Sequence, residues 1–418
     1  FRFYSIQIVN FDSHSIQSEK NSLRKVIHTA PRGIIYDTNL IPLVDNRPNY
    51  GLSVIPYDVS KEFNYFLFED ITGLNSEEVK NKVNKAKNKF SRFKPLLLKQ
   101  HLDFQMRSLI EENKLQFPGI SFTEFPARTY PNSANLTHAL GYLRKVGDDI
   151  LSDSSTELNY KYGDVFGFNG LEHIYENVLR GKDGVEFRLV DIYGIDHGKY
   201  NTDRQYDVVM GDSLILSIDS RLQIKAESLL NGKKGAIICM KPNNGEVLTF
   251  VSAPDYDLSS FIGPIPHQLW NSWNENPEKP LINRGIQGTY PPGSIVKLIS
   301  AGFAIDSNII DDSWTINCKG SYNYGDRVFN CWNMEGHGEV NATKSIILSC
   351  NIFYYHLIQK IGFENWSRIH SLFGFGRRTG IDLPGEKKGI IPTKAYMNQK
   401  YTSRGWGKGS LLNFVIGQ

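Results

Sequence analysis

Ser294 and Lys297 are the residues whose types and spacing most directly suggest chemistry in this sequence. They follow the structure-breaking run Tyr290–Gly293 and open an apolar segment that predicts a helix buried inside a domain. Free backbone N–H groups at the start of a helix favour developing negative charge, and side chains three residues apart share one face. A buried lysine tends to lose its proton, so a neutral Lys297 can activate the Ser294 hydroxyl as a nucleophile.

The S-x-x-K spacing is weakly informative by itself, because it occurs three times in the chain. Ser22–Lys25 and Ser91–Lys94 lie in charged surroundings that predict surface positions. Only Ser294–Lys297 begins an apolar helix after a rigid turn. The alternative for this third pair is structural, with Ser294 as a helix N-cap and Lys297 extending its ammonium group into solvent.

Ser349 and Asn351 form a second pattern, S-x-N, which starts 55 residues after Ser294. Two hydrogen-bonding side chains on one edge of a short turn can relay a proton and hold a substrate amide. The pattern recurs elsewhere in the chain, so it is informative only together with S-x-x-K. Those two patterns and K-T-G make up the set of the penicillin-recognising serine enzymes. Arg378–Gly380 resembles K-T-G superficially, but the residues before it indicate a loop and not a strand.

A cluster of soft metal ligands lies between and within these patterns, at Cys318, Cys331, His337 and Cys350. Three thiolates and one imidazole suit a tetrahedral structural zinc, although the spacing is looser than that of a zinc finger. A Cys318–Cys331 disulfide and unpaired cysteines are the alternatives. The fourth cysteine, Cys239, lies in an apolar strand and is expected to pack against other side chains.

The elements that must position these residues alternate strands with helices, which predicts an α+β fold. Asp219 is a plausible N-cap for a helix that runs to Leu230. Two strands follow it, Gly235–Met240 and Glu246–Ser252, joined by a hairpin-like turn. A polar stretch at 191–207 indicates a boundary between a domain at 1–205 and a domain at 206–418.

Bulk composition narrows the class of protein. A chain of 418 residues with 40% hydrophobic and 22% charged residues predicts two or three folded domains. The formal charge of +3 gives no reason to expect nucleic acid as a partner. No apolar run is long enough to span a membrane, and four cysteines are too few for a disulfide-built scaffold.

Several blocks together resemble the class B penicillin-binding proteins, most closely the elongation-specific members called penicillin-binding protein 2. Asn283-Arg284 with Tyr290–Lys297 is similar to their catalytic block, and Thr379–Glu386 to a block before K-T-G. Three upstream blocks look like their non-catalytic pedestal domain: Arg32–Asp37, Gly170–Glu172 and Leu179–Gly181. The resemblance covers the chain from about residue 4 to Gln418.

This resemblance implies an α+β architecture with a pedestal or dimerisation-type domain at 1–205 and a transpeptidase domain at 206–418. It implies a serine-type D-Ala-D-Ala transpeptidase/carboxypeptidase, in which Ser294 is acylated and Lys297 is the base. Ser349 and Asn351 would be the second motif, and the Ser294 backbone N–H would supply half of an oxyanion hole. The alternatives are a β-lactamase-like or β-lactam-sensing domain and a scaffold that has lost its chemistry.

The resemblance also implies one structural zinc, held by the Cys318, Cys331, His337 and Cys350 set, so that Cys350 ties the S-x-N turn to the metal. The implied partners are peptidoglycan stem peptides, β-lactam inhibitors, a SEDS-type glycosyltransferase and rod-complex scaffold proteins. The implied location is the inner membrane, by a single N-terminal helix, with the catalytic domain in the periplasm. We expect this chain to lack that helix and the end of the catalytic domain, and therefore to bind acyl donors poorly alone.

Overall fold

The computed structural model describes residues 23–87, 92, 95–100, 102–151, 160, 164–190, 196–263, 265–401 and 405–418. These residues form two compact units, one within 1–285 and one within 286–418. Both units contain helices and strands, as the predicted α+β class requires, whereas the predicted boundary near residue 205 stays a prediction. Of the two additional S-x-x-K pairs, Ser22, Ser91 and Lys94 lie outside the described residues, and Lys25 is exposed.

The first unit is built mainly from strands that form several small sheets. Its strands are β1 (Leu23–His28), β2 (Ile35–Tyr36), β3 (Pro42–Val54), β4 (Leu96–Lys99), β5 (Ile120–Thr129), β6 (Leu143–Lys145), β7 (Val165–Gly167), β8 (Gly184–Val190), β9 (Asp196–Lys199), β10 (Leu214–Ile215), β11 (Gly235–Met240) and β12 (Val247–Ala253). Its helices are α1 (Tyr65–Thr72), α2 (Ser76–Lys87), α3 (Phe104–Glu112), α4 (Thr137–Leu140), α5 (Asp148–Leu151), α6 (Gly170–Ile174), α7 (Glu176–Leu179), α8 (Ser220–Leu230) and α9 (His267–Glu275), and α10 (Arg284–Gln287) spans the end of this unit and the start of the next.

The long strand β3 organises one end of the first unit. It pairs antiparallel with β5 from Asp45 to Val54, and its last part also pairs with β4. Apolar side chains from β3 meet those of α1 and α3 in a core that includes Leu52, Phe68 and Ile110, all with no exposed surface. Burial of this apolar surface is what holds the short helices against the strand.

The predicted elements around Asp219 are confirmed. The Asp219 side chain accepts hydrogen bonds from the backbone N–H groups of Arg221 and Leu222 and so caps α8. The hairpin is confirmed as antiparallel β11–β12. Cys239 in β11 is exposed, so its predicted packing role is wrong: the last three residues of the strand, 238–240, are exposed on both of its faces.

The second unit is mainly helical and carries two two-stranded ladders, β13–β16 and β14–β15. Its strands are β13 (Ile316–Cys318), β14 (Ser321–Tyr324), β15 (Arg327–Asn330) and β16 (Gly338–Val340), and its helices are α11 (Lys297–Asp306), α12 (Ala342–Ile347), α13 (Asn351–Ile361), α14 (Phe363–Leu372), α15 (Lys394–Tyr401) and α16 (Lys408–Val415). Helix α13 is central because seven of its eleven residues are buried. Among the described helices of the whole chain, none is both long enough and apolar enough to cross a membrane.

A buried network of charges joins distant parts of the first unit. The Arg32 guanidinium contacts the carboxylates of Glu172 and Glu176 at 2.7 Å each, and Arg128 Nε lies 2.8 Å from the second oxygen of Glu172. Burial alone would lower the pKa of Arg32, but the two carboxylates outweigh it and raise that pKa. Glu172 is 1% exposed, so its charge is balanced by the two arginines and not by water.

Replacing Glu172 with Gln should lower the free energy of unfolding by about 3–5 kcal/mol, because two buried guanidinium groups lose their shared countercharge. Urea-induced unfolding followed by circular dichroism measures this change. Glu111→Gln is the matched control, since Glu111 pairs with Arg107 on the exposed face of α3 and should leave the unfolding midpoint unchanged. Equal stability of the Glu172→Gln and wild-type proteins would contradict this account of the network.

Candidate active site

A short 3₁₀ turn, Gly293–Val296, carries Ser294 and leads directly into α11. Gly293 has a φ of 64°, which a glycine adopts without strain, and its N–H donates to the carbonyl of Gly417 at 3.0 Å. A Cβ atom on Gly417 would lie 2.2 Å from the Gly293 carbonyl oxygen, so only glycine fits there. The residues after α16 therefore fix the turn that presents the exposed Ser294 side chain.

Helix α11 is buried on one face only, which corrects the prediction of a helix buried inside a domain. Lys297, Ser300, Ala301 and Ala304 face the interior of the unit. Ile295, just before the helix, and Leu298 are 68% and 57% exposed. The error arose because the small residues of this helix, not its largest apolar ones, make the close contacts with the neighbouring helices.

Lys297 is 2% exposed, and its amine is directed at the S-x-N turn. Nζ donates to the Ser349 carbonyl at 2.9 Å, to Ser349 Oγ at 3.1 Å and to Asn351 Oδ1 at 2.7 Å. It also lies 5.3 Å from the centre of the Tyr354 ring. These three acceptors use all three N–H bonds of an ammonium group, so the structure brings together Lys297, Ser349 and Asn351.

Burial lowers the pKa of Lys297 to about 8, from an ordinary value of 10.5. Removing the ammonium group from water disfavours its charged form, and this effect outweighs the opposing attraction of the Cys331 and Cys350 thiols as they ionise. With this pKa, about a tenth of the amine is uncharged at pH 7. That is the range in which a lysine can accept a proton from a hydroxyl.

Ser294 and Lys297 differ in their surroundings. Within the described part of the chain, Ser294 Oγ forms no hydrogen bond with Lys297, whose N–H bonds all point to the S-x-N turn. Ser294 is not the N-cap of α11, and Lys297 does not reach into solvent, so the structural alternative for this pair does not describe the site. The pair thus consists of an exposed hydroxyl and, three residues further along the chain, a buried amine.

The S-x-N turn is held in an unusual backbone conformation. Ser349 has a φ of 49°, in the left-handed region that side chains rarely adopt, and Cys350 is the N-cap residue of α13. Asn351 opens that helix and donates from Nδ2 to the carbonyl of Asn330 at 3.3 Å. This geometry directs both Ser349 and Asn351 at Lys297.

Arg378–Gly380 lies in a loop, as predicted, and does not belong to a strand. The backbone N–H and the hydroxyl of Thr379 donate to Glu386 Oε1 at 2.8 and 2.7 Å. These hydrogen bonds join two parts of the same loop, so Thr379 has a structural role there. The segment therefore does not supply a third motif.

Cys318, Cys331, His337 and Cys350 converge as the sequence predicted. Their ligand atoms all lie within 4.8 Å of one another, and His337 Nδ1 is 3.6 Å from the sulfurs of both Cys318 and Cys331. All three cysteines are free and buried, so the structure contains no Cys318–Cys331 disulfide. A compact group of three sulfurs and one imidazole nitrogen matches the donors of a tetrahedral zinc site.

The cysteine cluster is joined to the S-x-N turn at more than Cys350. Trp332 Nε1 donates to the Leu348 carbonyl at 2.9 Å, and Asn330, immediately before Cys331, accepts from Asn351. A displacement of the loop that contains Cys331 would therefore be transmitted to the residues that contact Lys297.

Two residues of the site were not found from sequence patterns. Asn330 was missed because it acts through its backbone carbonyl, and Gly417 because it is distant in sequence from Gly293. Tyr354 could have been found, since it follows Asn351 by three residues on one face of α13.

Two family models together cover most of the chain. The penicillin-binding protein transpeptidase domain matches residues 235–414, and the penicillin-binding protein dimerisation domain matches residues 27–216. The peptidoglycan D,D-transpeptidase MrdA of Acinetobacter baumannii is 32% identical over 426 residues, which cover 100% of this chain and 62% of that protein. MrdA of Salmonella typhimurium is also 32% identical, over 100% of this chain and 67% of that protein. The chain thus spans about two thirds of the length of these relatives.

A solved structure agrees with these matches. The complex between penicillin-binding protein 2 and MreC from Helicobacter pylori contains a chain with a TM-score of 0.80 and 28% sequence identity. The match covers 95% of this chain and 73% of that one. The order of the two matched domains, the sequence match over the whole of this chain and the shared fold lead to one conclusion: this chain belongs to the penicillin-binding protein 2 family of peptidoglycan D,D-transpeptidases.

Proposed function

We propose that this protein is a peptidoglycan D,D-transpeptidase that cross-links stem peptides through a serine acyl-enzyme. The observation that carries the proposal is the buried Lys297 amine, which is hydrogen-bonded to Ser349 and Asn351 and follows the turn that presents Ser294. A desolvated lysine and two hydrogen-bonding side chains next to an exposed hydroxyl are suited to acyl transfer. Membership of the family supports the same activity.

In the first step, Ser294 Oγ attacks the carbonyl carbon of the D-Ala-D-Ala bond, and neutral Lys297 takes the hydroxyl proton. The C–N bond then breaks, and the leaving D-Ala amine receives a proton. Ser349 Oγ, 3.1 Å from the lysine amine, is placed to relay that proton. The Ser294 backbone N–H contributes to stabilising the oxyanion.

In the second step, an amine of a neighbouring stem peptide attacks the Ser294 ester. Lys297 and Ser349 accept a proton from that amine, the ester C–O bond breaks as the new amide forms, and the proton passes to Ser294 Oγ, which regains its hydroxyl. A β-lactam would imitate the donor and leave a slowly hydrolysed acyl-enzyme. A β-lactamase would instead release its product rapidly, and a scaffold would not be acylated, so the lifetime of the acyl-enzyme separates these alternatives.

The substitution Ser294→Ala should abolish covalent labelling by a fluorescent penicillin, because the proposed nucleophile is removed. In-gel fluorescence of the complete gene product measures the labelling. Ser307→Ala is the matched control, since Ser307 is an exposed serine at the other end of α11 and should label like the wild type. Persistent labelling of the Ser294→Ala protein would show that the nucleophile lies elsewhere.

The rate of acylation by penicillin should rise with pH and level off above about 8, the pKa of Lys297, because only the neutral amine accepts a proton. Lys297→Arg should lose about 10²–10⁴-fold of the rate reached above pH 8 and should show no such rise, since a guanidinium stays protonated. Stopped-flow measurement of acylation between pH 6 and 10 tests both. A flat profile, or a rise centred near 10.5, would contradict the role of Lys297.

We further propose that the Cys318, Cys331, His337 and Cys350 set holds one zinc ion. The donor set, its burial and the 4.8 Å spread of its ligand atoms support this assignment. Zinc would supply structural cross-linking here and would not act on substrate. The side chains themselves would hold the Cys331 loop and Cys350, and thereby the S-x-N turn, in one position.

Protein purified without chelators should contain about one zinc per chain, and Cys331→Ser should remove most of it, because a structural site needs all four ligands. Elemental analysis measures the metal, and thermal unfolding should show a lower melting temperature for the variant. Cys239→Ser is the control, as Cys239 is an exposed cysteine outside the cluster. Full zinc content in the Cys331→Ser protein would rule out this ligand set.

We also propose, from the family relationship, that the protein acts on the periplasmic side of the inner membrane. Its expected partners are a SEDS-type glycosyltransferase and rod-complex scaffold proteins. The Helicobacter pylori relative was solved in complex with MreC, which supports a scaffold partner of that kind.

A further inference from the structure

The Lys297 amine has no carboxylate partner among the described side chains. The ion pairs of those residues do not include Lys297, and its N–H bonds go to neutral oxygens of Ser349 and Asn351. Taking the proton of the nucleophile nevertheless leaves a full positive charge on this buried amine. A buried charge without a carboxylate partner is costly, so each group that faces Nζ affects how readily the charge forms.

The ring of Tyr354 is a further group that faces this amine. Nζ of Lys297 lies over the ring, 5.3 Å from its centre. The face of an aromatic ring carries partial negative charge, and it attracts a cation that lies within about 6 Å of the ring centre. The attraction is larger when both groups are removed from water, and Lys297 and Tyr354 are only 2% and 0% exposed.

Helices α12 and α13 hold the ring in this position. Tyr354 lies three residues after Asn351 on α13, so both side chains share the face that is directed at Lys297. The Tyr354 hydroxyl is hydrogen-bonded to Ser345 Oγ of α12 at 3.2 Å, and Ser345 Oγ donates to the Ala342 carbonyl at 2.6 Å. Because the hydroxyl is engaged there, the part of Tyr354 that meets the amine is the face of its ring.

We propose that Tyr354 is a positioning residue for acylation, whose ring face holds the Lys297 amine and stabilises it as it takes up the proton of Ser294. This inference rests on the proposed function, because it concerns the base of that reaction. Tyr354 transfers no proton itself, and its side chain is buried away from the substrate. Its ring should therefore influence the rate of acylation and not the affinity for the acyl donor.

A purely structural role for Tyr354 would give a different response to substitution. If the side chain only fills the core, its volume matters and the electron density of its ring does not. Tyr354→Leu does not separate these roles, since it removes the ring and also leaves a cavity. Ring fluorination separates them, because each fluorine withdraws electron density from the ring face and adds little volume.

The test replaces Tyr354 with phenylalanine, and then with phenylalanine that carries one, two or three ring fluorines, in the complete gene product. Stopped-flow measurement with a fluorescent penicillin gives the acylation rate at saturation and the dissociation constant of the preceding complex. Tyr354→Phe keeps the ring face and should stay within about threefold of the wild-type rate. The rate at saturation should then fall stepwise, by about tenfold from the unfluorinated to the trifluorinated ring, with an unchanged dissociation constant.

Phe353 is the matched control position. It is the neighbouring ring on α13 and is also 0% exposed, but no Lys or Arg in the described part of the chain lies over it. Trifluorinated phenylalanine at position 353 should leave the acylation rate within about threefold of the wild type, because no cation depends on the face of that ring.

Equal rates across the fluorinated series would overturn the inference, and so would an equal loss of rate at position 353. A Tyr354→Phe protein that loses most of its rate would also overturn it, since the hydroxyl and not the ring face would then matter. A wild-type protein that penicillin does not acylate would reject the proposed function and this inference with it. Normal acylation of the wild type together with a flat fluorinated series would reject this inference alone.

Discussion

The burial of one amine sets the main constraint on the second unit. An ammonium group that is 2% exposed must find its hydrogen-bond acceptors inside the protein, and Lys297 finds them all in the S-x-N turn. That requirement explains why Ser349 keeps a left-handed backbone, since both its carbonyl and its hydroxyl must point at Nζ. The same burial lowers the pKa of Lys297 and so makes the residue chemically useful. The burial of this amine therefore accounts both for the backbone conformation of Ser349 and for the lowered pKa of Lys297.

Contacts from the surrounding elements hold the S-x-N turn and the Ser294 turn in position. Cys350 lies between the two residues that contact the amine, and its sulfur belongs to the buried cysteine cluster. Asn330 and Trp332 add hydrogen bonds on either side of Cys331. On the other side, the contact between Gly293 and Gly417 fixes the turn that carries Ser294. The exposed hydroxyl and the buried amine are thus held by separate parts of the unit.

Much of the site could be predicted from the sequence because its residues are local in the chain. Lys297 follows Ser294 by one turn, and Ser349 and Asn351 flank a single residue, so their spacing, together with the apolar segment that begins at Ser294, predicted both pairs. The α+β class, the capping role of Asp219 and the β11–β12 hairpin followed from periodicity and turn chemistry. The convergence of the cysteine cluster followed from ligand type.

The remaining features depend on contacts between distant residues, and no local pattern encodes these. The Gly293–Gly417 contact and the backbone carbonyl of Asn330 leave no trace in composition or spacing. The exposed face of α11 was missed because an apolar helix does not itself reveal which of its sides has a neighbour.

Direct titration of the Lys297 amine is the measurement that tests most directly whether burial lowers its pKa. Lysines labelled by reductive ¹³C-methylation, or with ¹³C at Cε, give NMR signals that report each pKa, and Lys297→Arg assigns the signal of interest. A desolvated amine bound to the S-x-N turn should titrate near pH 8, well below the exposed lysines of the same protein. A midpoint near 10.5 would mean that water reaches this amine, and the described active site would then be wrong.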